Sequence, residues 1–158
     1  MDTSARSSNT QLALGTISFA VCFCAWGLVG AFAPGFRAQF ALNATQTSFL
    51  VATPVILGSL ARIPVGLLAD RFGGRLIFTL VILISAAAAF LVPHTSTYPM
   101  LIAAGFLLGI AGSSFAAGVG FVSRWFPARA QGTALGIYGI GNAGQSLAVF
   151  LGPVIAAA

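Results

Sequence analysis

The sequence predicts an all-α membrane protein with five transmembrane helices, and three observations carry that prediction. Of 158 residues, 58% are hydrophobic and only 6% are charged, whereas a soluble domain carries about a quarter charged residues. The mean hydropathy is +1.00. The apolar residues gather in five stretches, each long enough to cross the roughly 30 Å of bilayer hydrocarbon as a helix. So few polar groups cannot clothe a soluble surface, which excludes a soluble enzyme, a secreted disulfide scaffold and a disordered tail. Backbone groups left unpaired in lipid require helices, and the alternating pattern of a membrane barrel is absent.

The first helix is expected at 12–33, after a polar tail of residues 1–11. Its Ala31-Phe32-Ala33 ending looks like a signal-peptidase site, but Pro34 follows at once and only Arg6 stands beside Asp2 ahead of the run. The run is also too long for a signal core, so it is a retained helix. Cys22 and Cys24, two apart on a helix, point to nearly opposite sides and form neither a disulfide nor a metal pair. They read as packing residues. The other helices are expected at 48–69, 76–92, 100–122 and 132–158. Loops 34–47 and 93–99 fall on one side of the membrane, and 70–75 and 123–131 on the other. None of them holds a soluble domain or a catalytic constellation. His94 stands alone beside Pro93, with no Cys, Asp or Glu near enough to share a metal. The chain therefore reads as no enzyme, with no cofactor and no metal.

Seven arginines, no lysine and two acids give a formal charge of +5. The arginines are spread singly or in pairs between apolar runs, without the basic stripe that nucleic acid requires, so no nucleic-acid partner is expected. Arg6, Arg71, Arg75, Arg124 and Arg129 share one side if the spans alternate, against Arg37 and His94 on the other. That asymmetry places the N-terminus in the cytoplasm of a multi-pass protein of the cytoplasmic membrane.

Arg62 breaks the pattern. It lies inside the second run, eight residues before Asp70, about 12 Å from the helix end at 1.5 Å per residue. Snorkelling bends a long side chain toward the interface, but an arginine reaches only about half that distance. A charge in mid-membrane otherwise faces a watery cavity or a partner, and the planar guanidinium suits a flat oxyanion. Small-residue faces mark the later helices: Gly109-Ile110-Ala111-Gly112-Ser113-Ser114-Phe115-Ala116, then Gly132-Thr133-Ala134-Leu135-Gly136 and Gly139-Ile140-Gly141-Asn142-Ala143-Gly144. They let helices approach closely. The amide of Asn142 either bonds across helices or faces the space the glycines leave for a small polar ligand.

Gly66-Leu67-Leu68-Ala69-Asp70-Arg71-Phe72-Gly73-Gly74-Arg75 resembles the cytoplasmic loop motif of the major facilitator superfamily, with Gly66, Leu68, Asp70, Arg71, Gly73 and Arg75 on motif positions. The resemblance implies that Asp70, Arg71 and Arg75 belong to a gate that latches two halves of a transporter. The Gly-Asn-x-Gly helix after Trp125-Phe126-Pro127-x-Arg129-x-Gln131-Gly132 resembles the signature of the nitrate/nitrite porter family. Residues 51–64 are similar to that family's arginine-bearing helix. On this resemblance Arg62, Asn142, Gly141 and Gly144 belong to the substrate-binding site, Arg62 as a substrate arginine and Asn142 as the asparagine near the anion. Phe115 is either an aromatic stacked near the substrate or a core residue. The implied ligand is nitrate or nitrite, moved by alternating access. With no Asp or Glu in mid-membrane, anion exchange is favoured over a proton relay within this segment.

Family members have twelve or more helices in two pseudo-symmetric halves, each of two inverted three-helix repeats. Three helices followed by two are expected to be the N-terminal portion of such a fold, residues 12–158 making part of the first six-helix half. Its partners would be the lipid bilayer and the missing C-terminal half, or a separately encoded half. A transporter of another small anion or metabolite, and a non-transporting small membrane protein, stand as the alternatives.

Overall fold

The computed structural model describes residues 3–157, with side chains described for 7–154. Asp2, the side chain of Arg6 and Ala158, all used in reading the sequence, lie outside the described residues. The chain runs α1 (Thr3–Ala31), α2 (Ala33–Gln39), α3 (Ala44–Phe72), α4 (Gly74–Leu91), α5 (Tyr98–Leu108), α6 (Ser114–Ser123), α7 (Ala128–Gly139) and α8 (Ala143–Ala157). Short 3₁₀ segments follow α4 at Val92–His94, join α5 to α6 at Gly109–Ser113, and join α7 to α8 at Ile140–Asn142. Five of the resulting rods are long and apolar enough to cross a membrane: Ser7–Ala31, Ala44–Phe72, Gly74–His94, Tyr98–Ser123 and Ala128–Val154.

All five rods start earlier than their apolar runs suggest, because the helical turns continue beyond the hydrocarbon-length core. α3 shows how. Asn43 ends the preceding loop, its Oδ1 accepting from Gln46 N at 2.8 Å while Gln46 Oε1 accepts from Asn43 N at 3.0 Å. This reciprocal capping box satisfies two otherwise orphaned donors and starts the helix four residues before position 48. The segment 34–47, expected as loop, holds the short α2, with Pro34 in its first turn, where a missing N–H costs nothing. Asn43→Ala should lower stability by about 1 kcal/mol, read as an earlier thermal transition in detergent, with Asn43→Ser restoring most of it.

At the other end of α3, Gly73 turns the chain directly into α4. Its φ of +97° is a conformation open to glycine and rarely to other residues. Its N–H closes the helix on Ala69 O at 3.0 Å. Beside it Gly74 lies so close to α6 that a Cβ would stand 2.8 Å from the backbone of Phe121.

α1 is the hub of the bundle, packing along α8 on one flank and against the fourth rod on the other. Its Phe19 and Phe23 anchor a core with Val65, Phe78, Val122 and Tyr138, while Val29, Leu42, Leu50, Leu101 and Leu108 fill the opposite end. Outside, the surface is apolar: Ile63, Leu67 and Phe150 are 71%, 66% and 76% exposed, as suits side chains solvated by lipid or by further helices rather than water. Burial separates the two cysteines as their spacing predicts, Cys22 inside and Cys24 half-buried, both as free thiols.

Candidate functional site

α3 and α8 both pack on α1 but not on one another among the described residues. Between them runs a narrow groove of about 90 Å³, with Trp26, Gly27 and Gly30 of α1 on its floor. Val51, Pro54 and Val55 form one wall, Gln145 and Val149 the other. Two turns along each wall, on the same helical face by the seven-residue spacing, come Arg62 from Val55 and Asn142 from Val149. Both are exposed. Neither lines the groove itself; each lies two turns beyond it on the rod that forms one wall.

Arg62 does not snorkel to the helix end. Its Nε donates to Gly112 O in the 3₁₀ segment of the fourth rod at 3.2 Å. A guanidinium carries five N–H donors, so the four on the two Nη atoms have no protein acceptor among the described residues. They are left pointing from an exposed side chain at mid-depth. Two features let α3 come close enough for this bond. A Cβ on Gly58 would stand 2.9 Å from Gly109 O, and one on Gly109 would run into Pro54 O. The carbonyl four residues before each of Pro54 and Pro64 also receives no helical N–H.

The 3₁₀ segment is itself built from the sequence. Gly109 and Gly112 supply no side chains, and Ser113 and Ser114 turn their hydroxyls back to Ile110 O and Ala111 O, each at 2.6 Å. Such back-bonding competes with the regular helical ladder, and a mid-helix 3₁₀ stretch is a common mark of a functional hinge. The fifth rod repeats the device at Ile140–Asn142.

Phe115 is 42% exposed, but its inner edge is held. Its ring lies 5.6 Å from Phe19 and 6.0 Å from Tyr138, the latter stacked. Tyr138 in turn is fully buried and donates its hydroxyl to Ser114 O at 3.0 Å. Phe115 is therefore both a packed aromatic and an exposed face. Gly141 and Gly144 face the other way. A Cβ on Gly141 would strike the Phe19 ring, and one on Gly144 the carbonyl of Ala20. These two glycines are filled by α1.

The loop motif lies at the end of the bundle where α3, α4, α6 and α7 meet. Asp70, Arg71 and Arg75 are exposed there, with the Arg71 guanidinium 5.3 Å from the centre of the Phe72 ring. Gly66 has open space on its Cα. Arg124, read from sequence only as a flanking charge, donates through Nη2 to Ala69 O at 3.5 Å and Asp70 O at 3.4 Å. A cation on the last carbonyls of α3 suits the negative end of a helix. Gln131 ties the neighbouring turn, its Nε2 donating to Ser123 O and Phe126 O at 3.0 and 3.2 Å. Arg37 and His94 lie toward the other end, His94 donating to Phe90 O at 2.8 Å with its ring tilted against that of Phe90.

Two residues of the groove have no signal in the sequence. Trp26 and Gln145 sit in apolar runs, where a tryptophan passes for a lipid-facing ring and a single amide for a helix-packing bond.

Comparisons with known proteins identify the family. The chain is 42% identical over 144 residues to a "Probable nitrate/nitrite antiporter NarK1" of Thermus thermophilus, covering 91% of this chain and 32% of that protein. It is 38% identical over 146 residues to a "Probable nitrate transporter NarT" of Staphylococcus aureus strain JH9, covering 92% of this chain and 38% of that protein. The chain thus spans about a third of the length of the curated relatives it matches. The family profile described as Major Facilitator Superfamily matches residues 15–158. With five apolar rods, a loop motif at the junction of the second and third, and a groove on the first, this chain is a multi-pass membrane protein and belongs to the major facilitator superfamily.

Proposed function

We propose that this chain forms the first five crossings of a secondary transporter that moves nitrate and nitrite across the cytoplasmic (inner) membrane by alternating access. The observation that carries the reading is Arg62: a guanidinium at mid-depth, exposed two turns beyond a groove, tethered by one nitrogen and with the other two unused. Nitrate is flat and monovalent, and it accepts paired N–H bonds in its plane. Asn142 supplies an amide donor from the rod of the opposite wall, and the exposed face of Phe115 confines the anion. Gly141 and Gly144 serve the site by seating the Asn142 helix against α1. The names of the two relatives support nitrate and nitrite as the substrates.

The wall facing the groove comes from the part of the transporter that corresponds to the rest of those relatives' length, in the same polypeptide or as a separately encoded half. That part also meets Asp70, Arg71, Gly73 and Arg75, which act with Gly66 as the cytoplasmic gate. The arginines gathered at the motif end, against Arg37 alone at the other, support a cytoplasmic N-terminus. The protein's partners on this reading are the anion, the lipid bilayer and the second half, with no nucleic acid and no catalytic chemistry.

Uptake by vesicles containing the complete gene product tests the substrate. Nitrate should accumulate saturably, and nitrite should compete with it while sulfate and small carboxylates do not. A transported solute with which nitrate fails to compete would make the protein a carrier of another small anion. An absence of any transport would favour a non-transporting membrane protein.

A further inference from the structure

We propose that Trp26 is a positioning residue for Arg62: its indole N–H takes over the Gly112 carbonyl when Arg62 turns from that carbonyl to the anion. This rests on the reading of Arg62 as the anion's ligand, and it concerns a residue to which neither the sequence motifs nor the comparisons assign a role.

Three observations carry it. The Nε1 of Trp26 is buried and has no hydrogen-bond partner, whereas buried indole N–H groups usually find one. It stands where α3 crosses the fourth rod, beside the glycine whose carbonyl Arg62 holds. Cβ atoms on Gly112 and Gly58 would stand 3.4 and 3.6 Å from it, so the indole edge rests on the bare Cα surfaces of the two helices that Arg62 joins. The nearby acceptor, Gly112 O, is meanwhile held by Arg62 Nε at 3.2 Å.

The two donors thus stand around one glycine in a 3₁₀ segment, one satisfied and one orphaned. A guanidinium that meets a flat anion through its Nε/Nη edge has to let Gly112 O go. With no second donor, that lone pair would be left unsatisfied at the helix crossing, which is costly for a buried group. Trp26 reverses the balance. Before binding, the orphan is the indole N–H; after binding, the indole and the carbonyl satisfy each other. The exchange therefore favours the bound state at both ends, and it draws α1 toward the α3 crossing as the anion arrives. Bulk at Gly58 or Gly112 would push the indole out of range, which gives those glycines a second reason to lack side chains.

The test uses the complete gene product in lipid vesicles. Trp26→Phe keeps the ring and removes only the N–H. It should raise the KM for nitrate about five- to tenfold, the effect of one lost hydrogen bond, while Vmax and protein yield stay near wild type. Trp26→Tyr serves if the phenylalanine variant does not accumulate. In the wild-type protein labelled with ¹⁵N-tryptophan, the indole resonance absent from the variant should move downfield on addition of nitrate, reporting a new hydrogen bond. In Arg62→Lys it should stay where it is at the same nitrate concentration.

An indole resonance unmoved by nitrate that is demonstrably bound, or a KM unchanged in both Trp26 variants, overturns the exchange and leaves the anion site standing. Failure of the wild-type protein to bind nitrate at all overturns both.

Discussion

Arg62→Lys in the complete gene product should lower nitrate uptake, as Vmax/KM, by about one to two orders of magnitude, the worth of about 1.5–3 kcal/mol for a hydrogen bond to a charged group. The substitution keeps the charge and most of the length, so a purely electrostatic role would survive it. What it removes is the planar fork, which alone can offer two parallel N–H bonds to a flat oxyanion. It also removes the Nε–H that holds Gly112 O before the anion binds. Arg129→Lys is the matched control. That arginine lies exposed at the end of the bundle, and its replacement should change uptake less than twofold, within the small range usual for surface substitutions.

The second large effect concerns the helix that follows Asn142. Gly144→Ala should destabilise the protein by about 1–3 kcal/mol and Gly144→Val by more, as overpacking at a close contact does. The cause is specific: the new Cβ would enter the space of the Ala20 carbonyl, with Ala20 Cα only 3.0 Å away. No flexible side chain stands there to give way, so α8 has to lift from α1. Thermal unfolding in detergent measures the loss. Gly35→Ala, with nothing within 4 Å of its Cβ position on the exposed α2, should leave the transition unchanged or raise it, since alanine favours a helix. Because the Asn142 side chain stands on the 3₁₀ turn that leads into α8, uptake by a surviving Gly144→Ala protein should fall together with its stability.

What the sequence disclosed follows from which forces act locally. The five crossings were legible because hydrocarbon thickness imposes a length that any apolar run either meets or does not. Arg62 was legible because a charge in such a run contradicts its surroundings. The loop motif was legible as a pattern of side chains, and at Gly73 the backbone takes a turn that favours glycine.

Other features depend on what meets what across the bundle. Apolar periodicity is the same for an α-helix and for one interrupted by a 3₁₀ turn, so the breaks at Gly109–Ser113 and Ile140–Asn142 left no trace. The glycine-rich stretches announced close approach but not its partner. Gly141 and Gly144 turn out to face α1, while Asn142 between them faces out. Arg124 carried a charge that orientation alone explained, and its hold on the last carbonyls of α3 needed the fold to become visible. Trp26 was least legible of all, since only a three-helix junction makes its N–H an orphan.

Equilibrium binding of nitrate to the purified complete transporter, wild type beside Arg62→Lys, tests most directly whether Arg62 is the group that holds the anion. The expected result is saturable binding to the wild type that nitrite displaces and sulfate does not. In the lysine variant, folded to the same melting temperature, the affinity should be weaker by at least about tenfold. Equal affinity in the two proteins would contradict the site on α3 and send the search for the anion's ligand elsewhere in the molecule.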